Sequence, residues 1–389
     1  MLRKFVLGCF GVAIALAALT AADRVVGMLS APEPRGSGIL FRPNSRLDTV
    51  TTEFRYTAET NSLGFRDREF AADGRPHPSR IAAVGDSFTY GWGVDIEDAW
   101  PKRVERLLRA AGQDVEVADL GQPAAAPRDY ATIVERAMPL LRPSTVIIAV
   151  VCGDDLEQTA PDEPPTPAPR RIEPIDRSDV VGWLFPTFWR WREAGRPAIV
   201  SADEQAAKWS TAAKLFLDSS PPEAVRRFDA LDDDIKTPFL AGRLNPWMVF
   251  LSLRDRDWLM RPLDPDSADT RARVESVVRQ FLRIKVAAAR DGARVIVVAI
   301  PFGPYVDRAV IDFARRLGFE LDETKMLTST APEDELAEAA RRAGFEFVRA
   351  LANFRRLSAN GGRPYFPRDG HLTPQGLGEL AAGIFRVLH

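Results

Sequence analysis

The stretch IAAVGDSFTYGWG, residues 81–93, decides how the rest of this chain is interpreted. It opens with small apolar residues, a pattern typical of a strand that is buried on both faces. Gly85, Asp86 and Ser87 then end this strand in a tight turn. A serine hydroxyl on such a turn is a candidate nucleophile, provided that a base and an oxyanion site lie nearby.

Composition limits the alternatives. The 389 residues are 46% apolar, which suffices for one large domain with insertions or for two domains. A formal net charge of −2 argues against a nucleic-acid partner. The two cysteines, Cys9 and Cys152, have no zinc-ligand spacing, and we expect no disulfide between them because Cys9 lies in an N-terminal apolar run.

The first 30 residues carry a targeting pattern. Arg3 and Lys4 precede an uncharged run over residues 5–22, which is near the lower limit for a helix that spans a bilayer. The positive flank favours an N-terminus inside and the remainder outside. Two interpretations stay open, an uncleaved inner-membrane anchor in contact with lipid and a cleaved signal peptide. Both predict that the soluble part is extracytoplasmic, in the periplasm of a bacterium.

The soluble part begins with an N-terminal extension over residues 31–80. Its stretch TVTTEFRYTAETNSLGFRD alternates polar and apolar residues and predicts a β-hairpin. From residue 81 onward, strand-like runs alternate with helical patterns. The predicted strands are Ile81–Val84, Val115–Ala118, Thr145–Val151, Arg294–Ile300 and Glu346–Val348. This alternation predicts a parallel sheet of about five strands with helices on both faces.

The alternation stops between residues 157 and 268. This region contains the proline-rich stretch APDEPPTPAPRRIEP and two aromatic stretches, and we interpret it as a mostly helical insertion in a domain formed by residues 81–156 and 269–389. An ordinary buried subdomain fits the insertion, and so does a lid or membrane-surface contact. The aromatic side chains of that second alternative are Trp183, Phe188, Trp189 and Trp191.

Polar residues follow several of the predicted strands. In open α/β sheets, sites form beyond the carboxyl ends of the strands, so these residues are expected to lie together. Of the three histidines, only His371 follows a strand in this way, since His77 precedes the first strand and His389 ends the chain. If Ser87 needs an imidazole base, His371 is the available one. The segments after the strands are GDS with Ser87, DLGQPA with Gly121, CGDDL with Asp154 and Asp155, and DGHLTPQG with Asp369 and His371.

These segments, in this order, resemble the conserved blocks of the SGNH/GDSL hydrolase superfamily in its bacterial membrane-anchored form. The resemblance covers roughly residues 81–155 and 290–389, together with the lead-in NSLGFRD. It implies a three-layer, flavodoxin-like α/β fold and an esterase that needs neither metal nor other cofactor.

The resemblance also implies residue roles. Ser87 would attack an ester carbonyl, His371 would act as base and then acid, and Asp369 would orient His371. The amides of Ser87 and Gly121 would donate to the oxyanion. The segment after the third strand would normally contribute an asparagine, but this chain has Asp154 at that position. Asp86 and Asp155 are expected to hold loops together.

Two departures from the family pattern bear on activity and substrate. The acid and the base are spaced Asp-Gly-His rather than Asp-x-x-His, a spacing also found in relatives that move acetyl groups on polysaccharides. Asp154 cannot donate to an oxyanion while it is ionised. We therefore expect an esterase for O-acyl groups, O-acetyl above all, on a small molecule or a surface glycan. An O-acyltransferase, a catalytically silent glycan-binding protein and a metal-dependent phosphoesterase are the alternatives.

Overall fold

The computed structural model of the chain describes residues 2–29, 40–70, 77–159, 184–188 and 197–389. Within these ranges, the side chains of residues 2–9, 12–14, 27–29 and 77–78 lie outside the described part. The described strands are β1 (Arg46–Val50), β2 (Arg55–Glu59), β3 (His77–Gly85), β4 (Glu116–Gly121), β5 (Pro143–Val151), β6 (Ile199–Val200), β7 (Arg294–Ile300) and β8 (Glu346–Val348).

The main sheet contains five parallel strands in the order β4-β3-β5-β7-β8. Counted along the domain, this is the flavodoxin-like order 2-1-3-4-5. Alternate residues of β3 face opposite layers: Ile81 and Ala83 pack in one apolar cluster, and Ala82 and Val84 pack in the other. The continuous apolar runs of the sequence arise because both faces of these strands are buried. The predicted fold class is thus confirmed.

Helices cover both faces of this sheet. The described helices are α1 (Leu2–Leu29), α2 (Ser87–Tyr90), α3 (Trp100–Ala110), α4 (Pro127–Leu141), α5 (Asp154–Glu157), α6 (Ala202–Asp218), α7 (Pro222–Asp229), α8 (Asp233–Leu240), α9 (Trp247–Arg254), α10 (Ala268–Ala289), α11 (Arg308–Arg316), α12 (Glu323–Thr328), α13 (Ala331–Ala343), α14 (Leu351–Ala359) and α15 (Pro374–Leu388). Helices α4, α10 and α13 pack together on one face, and α3 packs against α15 on the other.

The predicted hairpin of the N-terminal extension is present as β1 and β2, paired antiparallel from Arg46 with Glu59 to Val50 with Arg55. Strand β6 from the insertion adds to it in parallel through Arg46 and Ile199. The described part of the insertion continues with helices α6 to α9, whose apolar side chains join the cluster on the α3 face of the main sheet. The insertion and the hairpin therefore belong to the same packed body as the sheet.

Several sequence-based expectations concern residues that the structure does not describe. Residues 160–183 and 189–196 lie outside the described residues, and they include most of the proline-rich stretch with Trp183, Trp189 and Trp191. The pairing state of Cys9 is likewise outside the described side chains. Among the helices that are described, none combines the length and the apolarity needed to cross a membrane. The bilayer contact expected of residues 5–22 stays a prediction from the sequence.

Candidate active site

Ser87 lies at the point where the strand order reverses. In an open parallel sheet this switch point creates a crevice at the carboxyl ends of the two strands that flank it. In this chain the two strands are β3 and β5. Asp86 shapes the turn by accepting a hydrogen bond from the Phe88 amide at 2.9 Å and capping α2. Gly85 is required before it, because an added Cβ would lie 2.1 Å from the Thr89 hydroxyl oxygen. Ser87 is thereby presented at the first position of the helix.

His371 and Asp369 reach Ser87 from a tight loop before α15. The Ser87 hydroxyl donates to His371 Nε2 at 2.7 Å, and His371 Nδ1 donates to Asp369 Oδ1 at 2.5 Å. Gly370 between them adopts a φ of +85°, a conformation that glycine takes without strain. The two-residue spacing of acid and base thus places both side chains on one side of the loop, as a serine nucleophile with its base and orienting acid requires.

The electrostatics around His371 favour the imidazolium. Burial lowers the pKa of the imidazole, but the carboxylates of Asp369, Asp86 and Asp154 act in the opposite direction. The net result is a pKa above the ordinary histidine value. The neutral base therefore becomes available only as the pH rises through this raised pKa.

The oxyanion site differs from the expected one. The amide of Gly121 donates to Asp119 Oδ1 at 2.8 Å, and an added Cβ at Gly121 would lie 2.0 Å from the Tyr90 backbone nitrogen. Its amide is therefore already paired, and the predicted role of Gly121 as oxyanion donor does not fit this geometry. Ala124, three residues later, lines the crevice with a φ of +63°. Its amide donates no hydrogen bond within the described part of the chain, so the amides of Ala124 and Ser87 are the candidate oxyanion donors.

Asp154 does line the crevice. One carboxylate oxygen, Oδ2, accepts from Gln158 Nε2 at 2.7 Å, whereas Oδ1 is buried without a partner among the described residues. Burial and the neighbouring Asp86 raise the pKa of Asp154 to about 7. A protonated Asp154 would present a donor where the resemblance implies an asparagine.

Asp86 and Asp155 hold the surrounding loops, as the sequence predicted. Asp155 is fully buried and accepts from the Tyr130 hydroxyl at 2.9 Å and from the Val151 amide at 2.7 Å. Burial raises the pKa of both carboxyl groups, that of Asp86 to about 6. Cys152 beside them is a buried free thiol whose pKa is raised, first of all by burial.

A cavity of about 270 Å³ opens in front of Ser87. Six aromatic side chains of the described residues line its wall, and Asn245 and Gln158 add two uncharged polar side chains beyond Ser87 and His371. Three carboxyl groups reach it, those of Asp86, Asp154 and Asp369, and no lysine or arginine among the described residues lines it. The aromatic lining consists of Phe88 and Trp92 beside the serine, Trp209, Trp247 and Phe250 from the insertion, and Phe302 after β7.

Arg66 and Trp92 are among the residues of the site that sequence reasoning missed. Arg66 is 1% exposed and donates to the carbonyls of Tyr90, Gly91 and Val94 at 2.5–2.8 Å, which fixes the loop after α2. Trp92 on that loop donates from Nε1 to Asp369 Oδ2 at 3.4 Å. The lead-in NSLGFRD, which contains Arg66, was the available signal, but nothing in it indicates which carbonyls the arginine binds.

No group of three or more histidine, cysteine, aspartate or glutamate side chains within the described residues is arranged to hold a metal ion.

Comparison with known proteins gives similarity to solved structures only. No family model matches the chain, and no curated protein matches it. A protein of the lipolytic G-D-S-L family from Desulfitobacterium hafniense is similar over 79% of this chain and 99% of its own, at 10% identity and a TM-score of 0.36. The lipase/acylhydrolase from Enterococcus faecalis is similar over 79% and 94%, at 13% identity and a TM-score of 0.37.

An acetylxylan esterase from Geobacillus stearothermophilus, in the form of a catalytic mutant, is similar over 80% of this chain and 95% of its own, at 12% identity and a TM-score of 0.37.

Proposed function

We propose that this chain is a serine esterase of the SGNH/GDSL superfamily that removes O-acyl groups, O-acetyl above all, from an uncharged substrate such as a neutral glycan. The observation that carries the proposal is the hydrogen-bonded series Ser87–His371–Asp369, with distances of 2.7 and 2.5 Å at the mouth of a cavity. A serine held only for its turn geometry would not need an imidazole and a buried carboxylate aligned behind its hydroxyl.

The reaction would proceed in two acyl transfers. Ser87 Oγ attacks the ester carbonyl while its proton passes to His371 Nε2, and the amides of Ser87 and Ala124 donate to the carbonyl oxygen as it becomes negative. The imidazolium then returns its proton to the departing alcohol oxygen, which leaves an acyl-serine. Water attacks this ester with His371 again as base, which releases the carboxylic acid and restores the Ser87 hydroxyl.

The lining of the cavity supports an uncharged ester. The carboxyl groups around Ser87 would repel an anionic substrate, and no cation among the described lining residues offsets them. Trp92 and Trp209 stack with their ring centroids 6.0 Å apart, and Trp247 lies 41% exposed on the cavity wall. Indole faces of this kind pack against the C–H faces of a pyranose ring or against an acyl chain.

The decisive experiment is labelling with a fluorophosphonate, which reacts only with an activated serine. We expect the wild-type protein to be labelled and Ser87→Ala to remain unlabelled, and we expect acid release from 4-nitrophenyl acetate to follow the same pattern. Absence of labelling in a folded wild-type protein would favour the silent binding protein. Formation of a sugar ester when an acceptor sugar is added would identify an acyltransferase instead.

The extracytoplasmic location stays a prediction from Arg3, Lys4 and the apolar run at residues 5–22. An alkaline phosphatase fused to the C-terminus of the full chain is expected to be active, and a cytoplasmic fluorescent reporter at the same position is expected to be dark. The reverse pair of results would place the domain in the cytoplasm. Retention in membranes after a carbonate wash would separate an anchor from a cleaved signal.

A further inference from the structure

The turn between β1 and β2 contacts the loop that carries the acid and the base. Glu53, in this turn, accepts a hydrogen bond from the Asp369 amide at 2.7 Å through Oε2. It also accepts from the Arg368 amide, at 3.0 Å through Oε1 and 3.1 Å through Oε2. The N-terminal extension, which the sequence indicated only as a hairpin before the domain, thus reaches the site.

The loop itself explains why these two contacts matter. It is closed by a bridge between Tyr365 and Leu372, and its internal hydrogen bonds run from Phe366 N to the His371 carbonyl and from Gly370 N to the Phe366 carbonyl. The amides of Arg368 and Asp369 take no part in these bonds. Glu53 is their acceptor, so its carboxylate fixes the backbone from which the Asp369 side chain extends.

Aromatic packing seats the turn beside the loop. Phe54 contacts Phe366 with ring centroids 4.9 Å apart, and Tyr56 contacts Trp92, the donor to Asp369, at 5.7 Å. The Thr52 amide donates to the Arg243 carbonyl of the insertion at 2.9 Å. The turn is therefore held from both sides and can act as a fixed support.

The charges make a purely stabilising role for Glu53 a poor explanation. Burial raises the pKa of Glu53, and the nearby carboxylate of Asp369 raises it further, while the two amides and the Arg368 side chain act in the opposite direction. Placing one carboxylate next to another costs free energy, and the hydrogen bonds from the two backbone amides must offset this cost. A role of these hydrogen bonds in positioning the loop explains why such a pair is present.

We propose that Glu53 is a positioning residue of the active site, which aligns Asp369 with His371 through the backbone amides of the acid loop. This role rests on the proposed esterase function for its effect on turnover, but the alignment itself can be measured without catalysis. Glu53 touches neither the substrate nor the reacting atoms.

The test compares Glu53→Gln with Asp48→Asn in the full chain. The amide of glutamine keeps the size of the side chain but turns one acceptor oxygen into a donor that faces a backbone N–H. Asp48 lies in the same hairpin, where it accepts from Thr57 at 2.7 Å and from Arg46 at 3.1 Å, both residues of the hairpin rather than of the acid loop. We expect Glu53→Gln to lower kcat about tenfold to a hundredfold with KM nearly unchanged, and Asp48→Asn to leave both within about twofold.

The second measurement is the downfield proton resonance of the His371–Asp369 hydrogen bond, which His371→Gln assigns in a chain with only three histidines. We expect this resonance to move upfield or disappear in Glu53→Gln and to stay in Asp48→Asn. If Glu53→Gln does not fold, Glu53→Asp, which keeps the charge but is too short to reach both amides, takes its place.

An unchanged resonance in the folded Glu53 variant overturns the proposal, as does an equal loss of kcat in Asp48→Asn. A wild-type protein that is inactive but loses the resonance in Glu53→Gln would refute the esterase function and leave the positioning role standing.

Discussion

Asp154 sets the pH range in which the proposed chemistry can run. His371 must be neutral to act as base, which requires a pH above its raised pKa. Asp154 can donate to the oxyanion only when protonated, which requires a pH below about 7. The two requirements oppose each other, so we expect a narrow optimum of kcat/KM near neutral pH and modest activity.

Asp154→Asn is therefore expected to increase activity on the alkaline side. At pH 8 only about a tenth of the molecules would carry the Asp154 proton, so a permanent amide donor should raise kcat roughly tenfold there and much less at pH 6. Loss of the carboxylate should also lower the pKa of His371 and shift the rising limb to lower pH. The pH–rate profiles of both proteins on 4-nitrophenyl acetate measure this.

Asp155→Asn is the matched control for that prediction, because its carboxylate binds Tyr130 and the Val151 amide rather than lining the cavity. It should bring no alkaline gain. If kcat of the Asp154→Asn variant is lower than that of the wild type at every pH, Asp154 supports the adjacent loop instead.

His371→Ala is expected to lower ester turnover by three orders of magnitude or more, since it removes the base hydrogen-bonded to Ser87. His77→Ala should have almost no effect. His77 is the first residue of β3, whereas Ser87 follows the other end of this strand, roughly 25 Å away at about 3.3 Å per residue. Comparable losses of kcat/KM in the two variants would remove His371 from the catalytic role.

At the level of elements, the insertion supplies one wall of the cavity through α6 and α9. Trp209 and Trp247 lie on these helices and line the cavity with the proposed nucleophile and base, which come from the sheet domain. In such an arrangement, substitutions in the wall can change which substrate binds without altering the loops that carry the proposed catalytic residues.

Trp247→Ala should accordingly affect binding more than chemistry. We expect an increase in KM of about tenfold for a bulky ester such as an acetylated oligosaccharide, from the lost burial of the indole, and a change within about twofold for 4-nitrophenyl acetate. Steady-state kinetics on both substrates measure the difference. Leu215→Ala, at an exposed position of α6 outside the cavity wall, is the control. Equal changes for both substrates would argue that Trp247 supports the fold.

For the whole molecule, the buried carboxyl groups predict how stability depends on pH. Burial, the largest cause in each case, raises the pKa of Asp119 and Asp154 to about 7 and that of Glu335 to about 8. In the unfolded chain these groups titrate near pH 4, so between pH 4 and 8 the folded state binds more protons. The free energy of unfolding should therefore be higher at pH 5 than at pH 8, as urea denaturation would measure.

Asp119→Asn should reduce the slope of the free energy of unfolding against pH. Asp119 Oδ1 accepts from the Gly121 amide, and Oδ2 is buried without a partner among the described residues. An asparagine keeps the acceptor and removes the buried charge, which should stabilise the protein by roughly 1–3 kcal/mol at pH 8 and by less at pH 5. Glu338→Gln, at a carboxylate paired with Arg341 on an exposed face, should leave the slope unchanged. A steeper slope in Asp119→Asn would contradict the account.

The amino-acid sequence alone determined the sheet and the proposed nucleophile, base and acid. Each strand of the sheet is a short apolar run because both of its faces are buried, and polar residues that follow parallel strands must meet at one edge. Ser87, Asp369 and His371 could therefore be brought together without coordinates. In the structure β3 begins four residues earlier and ends one residue later than predicted, β4 begins one residue later and ends three residues later, and β5 begins two residues earlier. Periodicity does not resolve strand ends at this level.

Only the tertiary structure shows which backbone amides are already paired and which distant side chains reach the candidate site. Gly121 is the last residue of β4 and Ala124 lies three residues later, and only the structure shows that the Gly121 amide is occupied by its hydrogen bond to Asp119. Glu53 lies 316 residues before Asp369, and a single acceptor in a hairpin turn leaves no periodic signal of its distant partner. The apolar pattern of a segment indicates which of its faces will be buried, whatever its partner is. The hydrogen bonds of Asp119 and Glu53, in contrast, form only after separate segments have packed together.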